Sequence, residues 1–291
     1  MSQLLELTLL AGAPLLLAVI GELILQRSGV LNIGLEGMLL AAAFGATLAG
    51  ATSGSALGGI AGGVAGAAAA AALFGALALW RAADPIVSGV ALNLLCLGAT
   101  GVLYRELNEG NRLVEGLPRL PRLSVGAMEI DAVVFFAWVV APLMAAALLW
   151  RTRAGLRMRA AGENPDALAW GGRSVARARW LALAFEVVLA GFAGAALSLG
   201  LAQGFAENMV AGRGFIALAI VIFARWSVAG AVAGVALFSF ATALQYAIQA
   251  GGSGIAFHLL LGFPYVATLA FLVVAPGSVQ APRALGRPYP S

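Results

Sequence analysis

A few polar side chains stand inside otherwise apolar runs, and any recognition chemistry in this chain has to be sought there. Asn32 and Glu36 are four residues apart and so share one face of a helix. Ser88 and Asn93 stand in one apolar run and Glu186 in another. Glu207, Asn208 and Arg213 cluster just ahead of a short apolar stretch, with Gly204, Gly212 and Gly214 close by. An ionisable group at the centre of a hydrocarbon-embedded helix costs about 2.5–3.5 kcal/mol by insertion scales, so it faces protein or a water-filled path. For Asn32 and Glu36 two readings stand level, a polar stripe in a solute pathway and interhelical bonding that fixes packing. Asn93 leans towards the pathway, whereas Ser88 can also bond its own helix backbone. Glu207, Asn208 and Arg213 suit a binding site at a helix break; the alternative is an internal Glu207–Arg213 ion pair that only holds the break. Glu186 reads equally as a specificity feature or as a hydrogen bond to a partner, and His258 reads as a neutral packing residue.

Several chemistries are excluded. All 17 basic residues are arginine, so a phosphate loop ending in Gly-Lys-Ser/Thr cannot occur. His258 is the single histidine, which rules out His-Glu-x-x-His metal chemistry, and no serine stands in a Gly-x-Ser-x-Gly setting. No catalytic or metal site is expected, and no cofactor. The lone Cys96 cannot form an internal disulfide.

The elements that must position these groups follow from composition. Of the 291 residues, 62% are hydrophobic and 10% charged, with a mean hydropathy of +0.96; a soluble domain has about 45–50% and about 25%. Crossing about 30 Å of hydrocarbon takes about 20 apolar residues as a helix, and the long Ala/Leu/Gly/Val runs lack the alternation of a membrane barrel. The chain therefore reads as an all-α, multi-pass integral membrane protein with nine spans, near 4–25, 30–50, 56–80, 85–104, 132–150, 180–202, 214–225, 228–249 and 255–275. The N-terminus lacks a basic cluster before its apolar run and is read as retained rather than as a cleaved signal. The run 214–225 reaches only about 16 Å as a helix and is read as half of a broken crossing shared with 203–213. Glycines at 58, 59, 62, 63 and 66 read as a close-packing face.

Placing the 151–179 loop in the cytoplasm puts twelve arginines inside and five outside, so the N-terminus is expected outside and the C-terminus inside. Residues 1–276 form a single transmembrane domain, with an outer loop at 105–131 of four arginines and five acids. Residues 277–291 read as a loose cytoplasmic tail.

At the centre of the cytoplasmic loop lies Gly162-Glu163-Asn164-Pro165-Asp166-Ala167-Leu168-Ala169-Trp170-Gly171-Gly172. Asn164 suits a helix cap, Pro165 the first helical position, Asp166 the positive end of the dipole, and the glycine pair a stop. Two turns are marginal alone in water, and Trp170 is a large apolar group to leave wet, so a docked protein is expected.

Asp166-Ala167-Leu168 with Gly172 resembles the cytoplasmic Glu-Ala-Ala-x-x-x-Gly signature of ABC importer permeases, with Leu168 departing from the second alanine. The preceding Gly155 to Pro165 resembles the same stretch in permeases for nucleosides and related solutes, within the larger group of branched-chain amino acid and ribose-type permeases. Arg27 to Met38, Ile86 to Asn93 and Glu207 to Ala219 resemble that family too, and the matches run from about residue 21 to 245. The resemblance implies an ABC importer permease subunit that passes a nucleoside-like solute into the cytoplasm across a bacterial inner membrane. It implies a coupling surface of Glu163, Asn164, Pro165, Asp166, Ala167, Leu168, Trp170 and Gly172. It further implies a second permease subunit, ATP-binding subunits that carry ATP and Mg, and an extracytoplasmic solute-binding lipoprotein. Sugar, riboflavin or a branched-chain amino acid are alternative solutes, and an ion-coupled carrier using Glu36 or Glu186 is an alternative mechanism.

Overall fold

The computed structural model describes residues 2–108, 117–125, 128–250, 262 and 281–289. The sequence-predicted span 255–275, apart from Gly262, and His258 within it lie outside the described residues.

Among the described residues seven helices are long and apolar enough to cross a membrane. They are built from α1 (Ser2–Arg27), α2 (Leu35–Ser53), α3 (Ala56–Gly75, continued π-helically to Trp80), α4 (Pro85–Leu107), α5 and α6 (Ala132–Phe135 and Ala141–Arg151, joined through a π-helical turn), α9 (Val175–Ala195, continued to Leu201) and α11 (Val228–Ala250). These coincide with seven of the nine expected spans. An eighth apolar helix, α10 (Arg213–Phe223), has 11 residues and falls short of a crossing. On the 151–179 loop lie α7 (Arg153–Glu163) and α8 (Pro165–Trp170).

Local signals set the boundaries. Asp84 ends an irregular turn and accepts from the amides of Ile86 and Val87 at 2.8 and 3.0 Å, with Pro85 opening α4. Thr152 and Ser174 cap α7 and α9 in the same way. Each cap satisfies amides that the helix itself cannot.

The core is α1, α2 and α9, whose fully buried side chains include Leu16, Ile20, Leu23, Leu39 and Ala193. α4 lies at the periphery and turns Val87, Leu94 and Val102 outward. Small residues decide how close the central helices come. A methyl group on Gly63 of α3 would stand 2.6 Å from the carbonyl oxygen of Gly191 in α9. One on Gly194 would meet Ala42 of α2 at 2.5 Å, and Gly62 and Gly66 press on the carbonyls of Gly45 and Ala41. The close-packing reading of the α3 glycines fits this geometry, since backbone contact replaces side-chain interdigitation.

Two regions differ from expectation. Part of the outer loop forms an antiparallel hairpin, β1 (Arg122–Val125) with β2 (Met128–Asp131), in the register Arg122↔Asp131. Residues 281–289, expected to be loose, are docked: the amides of Ala284 and Gly286 donate to the carbonyls of Gly162 and Gly29 at 2.8 and 3.0 Å, and Ala284 is buried. The backbone bonds of this segment leave no signature in side-chain composition, which is why its prolines and glycine suggested a loose end.

Adding bulk at the α3–α9 contact should therefore act unlike adding it at the periphery. Gly63→Val should cost on the order of 1–3 kcal/mol by overpacking. Gly98→Ala, on α4 with nothing within 4 Å of the added carbon, should be neutral or stabilising by up to about 1 kcal/mol. Thermal melts of the isolated subunit in detergent compare them, and equal melting temperatures would contradict the packing account.

Candidate solute pathway and coupling surface

Glu36, Glu207 and Arg213 meet at the irregular segment ahead of α10. Between Leu201 and Arg213 the chain leaves regular helix, with Gln203, Asn208 and Ala211 in left-handed backbone conformations at φ of 51°, 56° and 50°. Each such non-glycine position costs energy and persists only where its surroundings enforce it. The enforcing contact comes from α2. Glu36 accepts from the amide of Gly212 through Oε1 and from that of Gly214 through Oε2, both at 2.7 Å. Its carboxylate thus caps α10 from another helix and meets the positive end of that helix's dipole. Gly214 allows the approach, because a Cβ there would lie 2.6 Å from the Glu36 amide nitrogen.

Arg213 does not pair with Glu207. It donates from Nη1 to the carbonyls of Met209 and Val210 at 3.0 and 3.1 Å, closing the loop on itself. Glu207 instead forms a two-pronged pair with Arg105 at the end of α4, at 2.7 and 2.8 Å, in an exposed setting. Both arginines had been assigned to the outer side. Spacing in the chain favoured a local partner for Glu207, whereas the fold brings α4 across to it.

Asn93 occupies a second junction. Its Oδ1 accepts from the Gly37 amide at 2.8 Å and its Nδ2 donates to the Ile33 carbonyl at 2.9 Å, so α4 holds the first turn of α2. Ser88 is buried one turn earlier on α4. Asn32 is fully buried and donates from Nδ2 to Oε2 of Glu186 at 3.1 Å. In this conformation Glu36 and Asn93 are half-buried, while Asn32 and Ser88 are sealed.

Sequence reading passed over further polar residues. A cavity of about 300 Å³ lies between α1, α10 and α11, lined by Arg213, Ser239, Thr242, Gln245 and Tyr246 among others. The four on α11 fall at helical spacing on one face, a signal visible in the sequence. Glu22 and Gln26 of α1 and Trp226 after α10 were also missed, although an acid and an amide four apart in an apolar run carry the same signature as Asn32 and Glu36.

On the 151–179 loop, α8 forms as its residues require. Asn164 accepts from the Ala167 amide at 3.0 Å, Pro165 stands first, and Gly172 ends the turn at φ +72°. Leu168 is buried against Ala161, Val175 and Ala178 of its own chain, not offered outward. Trp170, by contrast, is 87% exposed. Beside it a groove of about 590 Å³ runs along α7 and α8, lined by Leu156, Arg157, Glu163, Asn164, Ala167 and Arg173 among others. Behind the helix, Tyr289 donates to Asp166 at 3.2 Å and lies near the Arg179 guanidinium. Removal from water and the Asp166 carboxylate both push the Tyr289 phenol above its ordinary range.

An apolar helical body, an irregular segment whose amides are held by a carboxylate and an exposed tryptophan on a short loop helix suit a transport subunit. The model of the branched-chain amino acid transport system permease component matches residues 4–272. The chain belongs to that family. It is 33% identical to the guanosine ABC transporter permease protein NupQ of Bacillus subtilis, over 97% of this chain and 94% of the relative. It is 32% identical to the nucleoside ABC transporter permease protein NupC of Lactococcus lactis over the same shares. It is also 35% identical to the putative glucose ABC transporter permease protein TsgC13 of Haloferax volcanii, over 84% of this chain and 78% of the relative. No solved structure matches the chain significantly.

Removing the Glu36 carboxylate should release the start of α10. Glu36→Ala strands two amides, each costing about 1–3 kcal/mol if left buried without a partner, whereas Glu36→Gln keeps one acceptor and should lose about half as much. Melting temperatures and hydrogen exchange at residues 212–216 in lipid nanodiscs measure this, and unchanged exchange in the alanine variant would contradict it.

Proposed function

We propose that this chain is one of two permease subunits of an ABC importer, and that it moves a nucleoside-like solute inward while separate ATP-binding subunits hydrolyse ATP with Mg. The near full-length similarity to permeases named for guanosine and nucleosides carries this reading. The similar relative named for glucose matches a smaller share of the chain. On this reading the protein sits in a bacterial inner membrane beside a second, different permease chain. An extracytoplasmic solute-binding lipoprotein delivers the solute, and this chain holds no cofactor.

The solute path in this proposal runs past the broken crossing. Glu36 and Asn93 line its cytoplasmic portion, with the sealed Asn32 and Ser88 behind them, and Glu207, Asn208 and Arg213 line its outer portion. What supports it is the break itself, since irregular backbone at membrane depth persists where it lines a cavity or is buried in protein. The cavity bounded by Arg213, Ser239, Gln245 and Tyr246 offers donors, acceptors and an aromatic face, groups that suit a base and a ribose.

Coupling runs through α8. Trp170 is the one side chain of that helix both large and almost fully exposed, and α8 is held from behind by Leu168, Tyr289 and the docked 281–289 segment. A helix buttressed in this way transmits a push, with Glu163, Asn164 and Ala167 lining the groove that the ATPase fills.

Trp170→Ala should weaken association with the ATP-binding subunits by on the order of 2 kcal/mol, roughly thirtyfold, with the membrane helices intact. Co-purification and solute-stimulated ATP hydrolysis in lipid measure it; full ATPase recovery with normal stimulation would remove α8 from the coupling path. In proteoliposomes containing the whole importer, guanosine or another nucleoside should compete for uptake and glucose should not, and the reverse ranking would overturn the solute assignment. With the N-terminus outside, a cysteine at Ser291 in a Cys96→Ala background should resist impermeant reagents applied to intact cells, and labelling from outside would reverse the topology.

A further inference from the structure

Two carboxyl groups that the proposed transport path does not use face each other in the core. Glu22 of α1 and Glu186 of α9 are 0% and 1% exposed, and both carboxyls accept from Asn32, which stands between them. Each keeps one oxygen on a neutral donor. Glu22 Oε1 accepts from Gln26 Nε2 at 2.8 Å and from the Asn32 amide at 3.3 Å, and Glu186 Oε2 accepts from Asn32 Nδ2 at 3.1 Å. The other oxygens, Glu22 Oε2 and Glu186 Oε1, are buried with no donor.

The Gln26 donor cannot be turned round to make room for a cation. The Trp226 indole N–H, which can only donate, reaches Gln26 Oε1 at 2.7 Å and thereby fixes that amide with its NH2 towards Glu22. Asn32 presents its NH2 to Glu186, with its own Oδ1 buried and without a donor, so the two amide side chains at the pair turn N–H groups towards it. Among the described contacts neither Arg27 nor Arg179 bonds to either carboxyl. Arg27, next to Gln26, is engaged with the Trp226 carbonyl at 2.9 and 2.7 Å, and Arg179 of α9 with the Arg287 carbonyl at 3.2 Å. From α2, Glu36 is bound to Gly212 and Gly214. Among the described residues the polar groups that bond to the pair are Gln26 of α1 and Asn32 of the α1–α2 link.

We propose that Glu22 and Glu186 are a proton-binding site, holding one proton between Glu22 Oε2 and Glu186 Oε1 that bonds α1 to α9. Two adjacent carboxylates without a cation repel strongly in a dry interior, and a shared proton removes one charge while supplying the missing donor. Through Gln26, Asn32 and Trp226 the same bond ties in the α1–α2 link and the turn after α10, so these four parts of the core move together.

The test is infrared spectroscopy of the whole subunit at neutral pH, joined to melting in detergent. The wild type should show the carbonyl band of a protonated carboxylic acid. Glu22→Gln and Glu186→Gln should each abolish that band and melt close to the wild type, because the amide supplies the same donor permanently; Glu22→Ala and Glu186→Ala should melt clearly lower. Persistence of the band in either Gln variant, or Gln variants as damaged as the Ala ones, overturns the proposal. If a Gln variant does not assemble, the wild-type spectrum decides in a Glu36→Gln background, which removes the other partly buried span carboxyl: the band's presence supports a protonated pair and its absence overturns it.

Discussion

A peptide group in hydrocarbon has no water to fall back on, so a chain that breaks a helix at membrane depth must provide partners for the amides and carbonyls it frees. The rest of this structure is organised around that demand between residues 202 and 213. Glu36 takes the amides of Gly212 and Gly214, and Arg213 takes the carbonyls of Met209 and Val210. Glu36 can reach because Asn93 pins the start of α2 to α4, and because Gly214 carries no side chain to keep α10 away. Remove the carboxylate and the break has no reason to hold its shape, and any cavity it lines loses a wall.

The turn after α10 is solved by a different device. Arg225 and Trp226 are consecutive non-glycine residues in the left-handed region, each at φ 53°, at a cost on the order of 1–3 kcal/mol apiece. The Trp226 carbonyl takes two donors from Arg27 and its indole donates to Gln26. Charge-assisted bonds are the stronger class, and here they are made by a residue that positive-inside reasoning had treated as a topological marker. Arg27 thereby closes the backbone of a turn 199 residues away in sequence.

Much of the fold was legible because the bilayer makes it so. Seven apolar runs became seven helices long enough to cross, and the run at 214–225 was read as too short on length alone. The cap, proline, acid and glycine of α8 predicted a helix that is present at Pro165–Trp170. What stayed illegible was pairing. Nothing in the spacing of Glu207 and Arg213 says that Glu207 turns to Arg105, 102 residues away in sequence. Leu168 looked like part of an outward face because a two-turn helix has no periodicity long enough to say which side is in. Glu22 was passed over inside a long apolar run, although its spacing to Gln26 repeats that of Asn32 and Glu36. The docking of residues 281–289 rests on backbone bonds, which side-chain patterns do not encode.

The same geometry explains why the polar residues divide into two populations. Those that bond to backbone amides or carbonyls of another helix, as Glu36, Asn93 and Arg27 do, hold irregular segments in place and lie at the edge of accessible space. Those that bond only to other side chains, as Gln26 and Glu186 do, are sealed in the α1–α9 seam. Glu22 makes both kinds of bond, accepting from the Asn32 main-chain amide and from the Gln26 side chain. A permease has to change shape around its solute while staying folded, and that requires some helix contacts to break easily and others not at all. Contacts through small residues between α2, α3 and α9 can slide, since dispersion between flat faces has little preferred register. A polar network buried in a low-dielectric seam cannot, because each bond lost strands a polar group. Motion is therefore expected at the half-buried α2–α10 and α2–α4 junctions, with α1 and α9 as the fixed frame against which they turn.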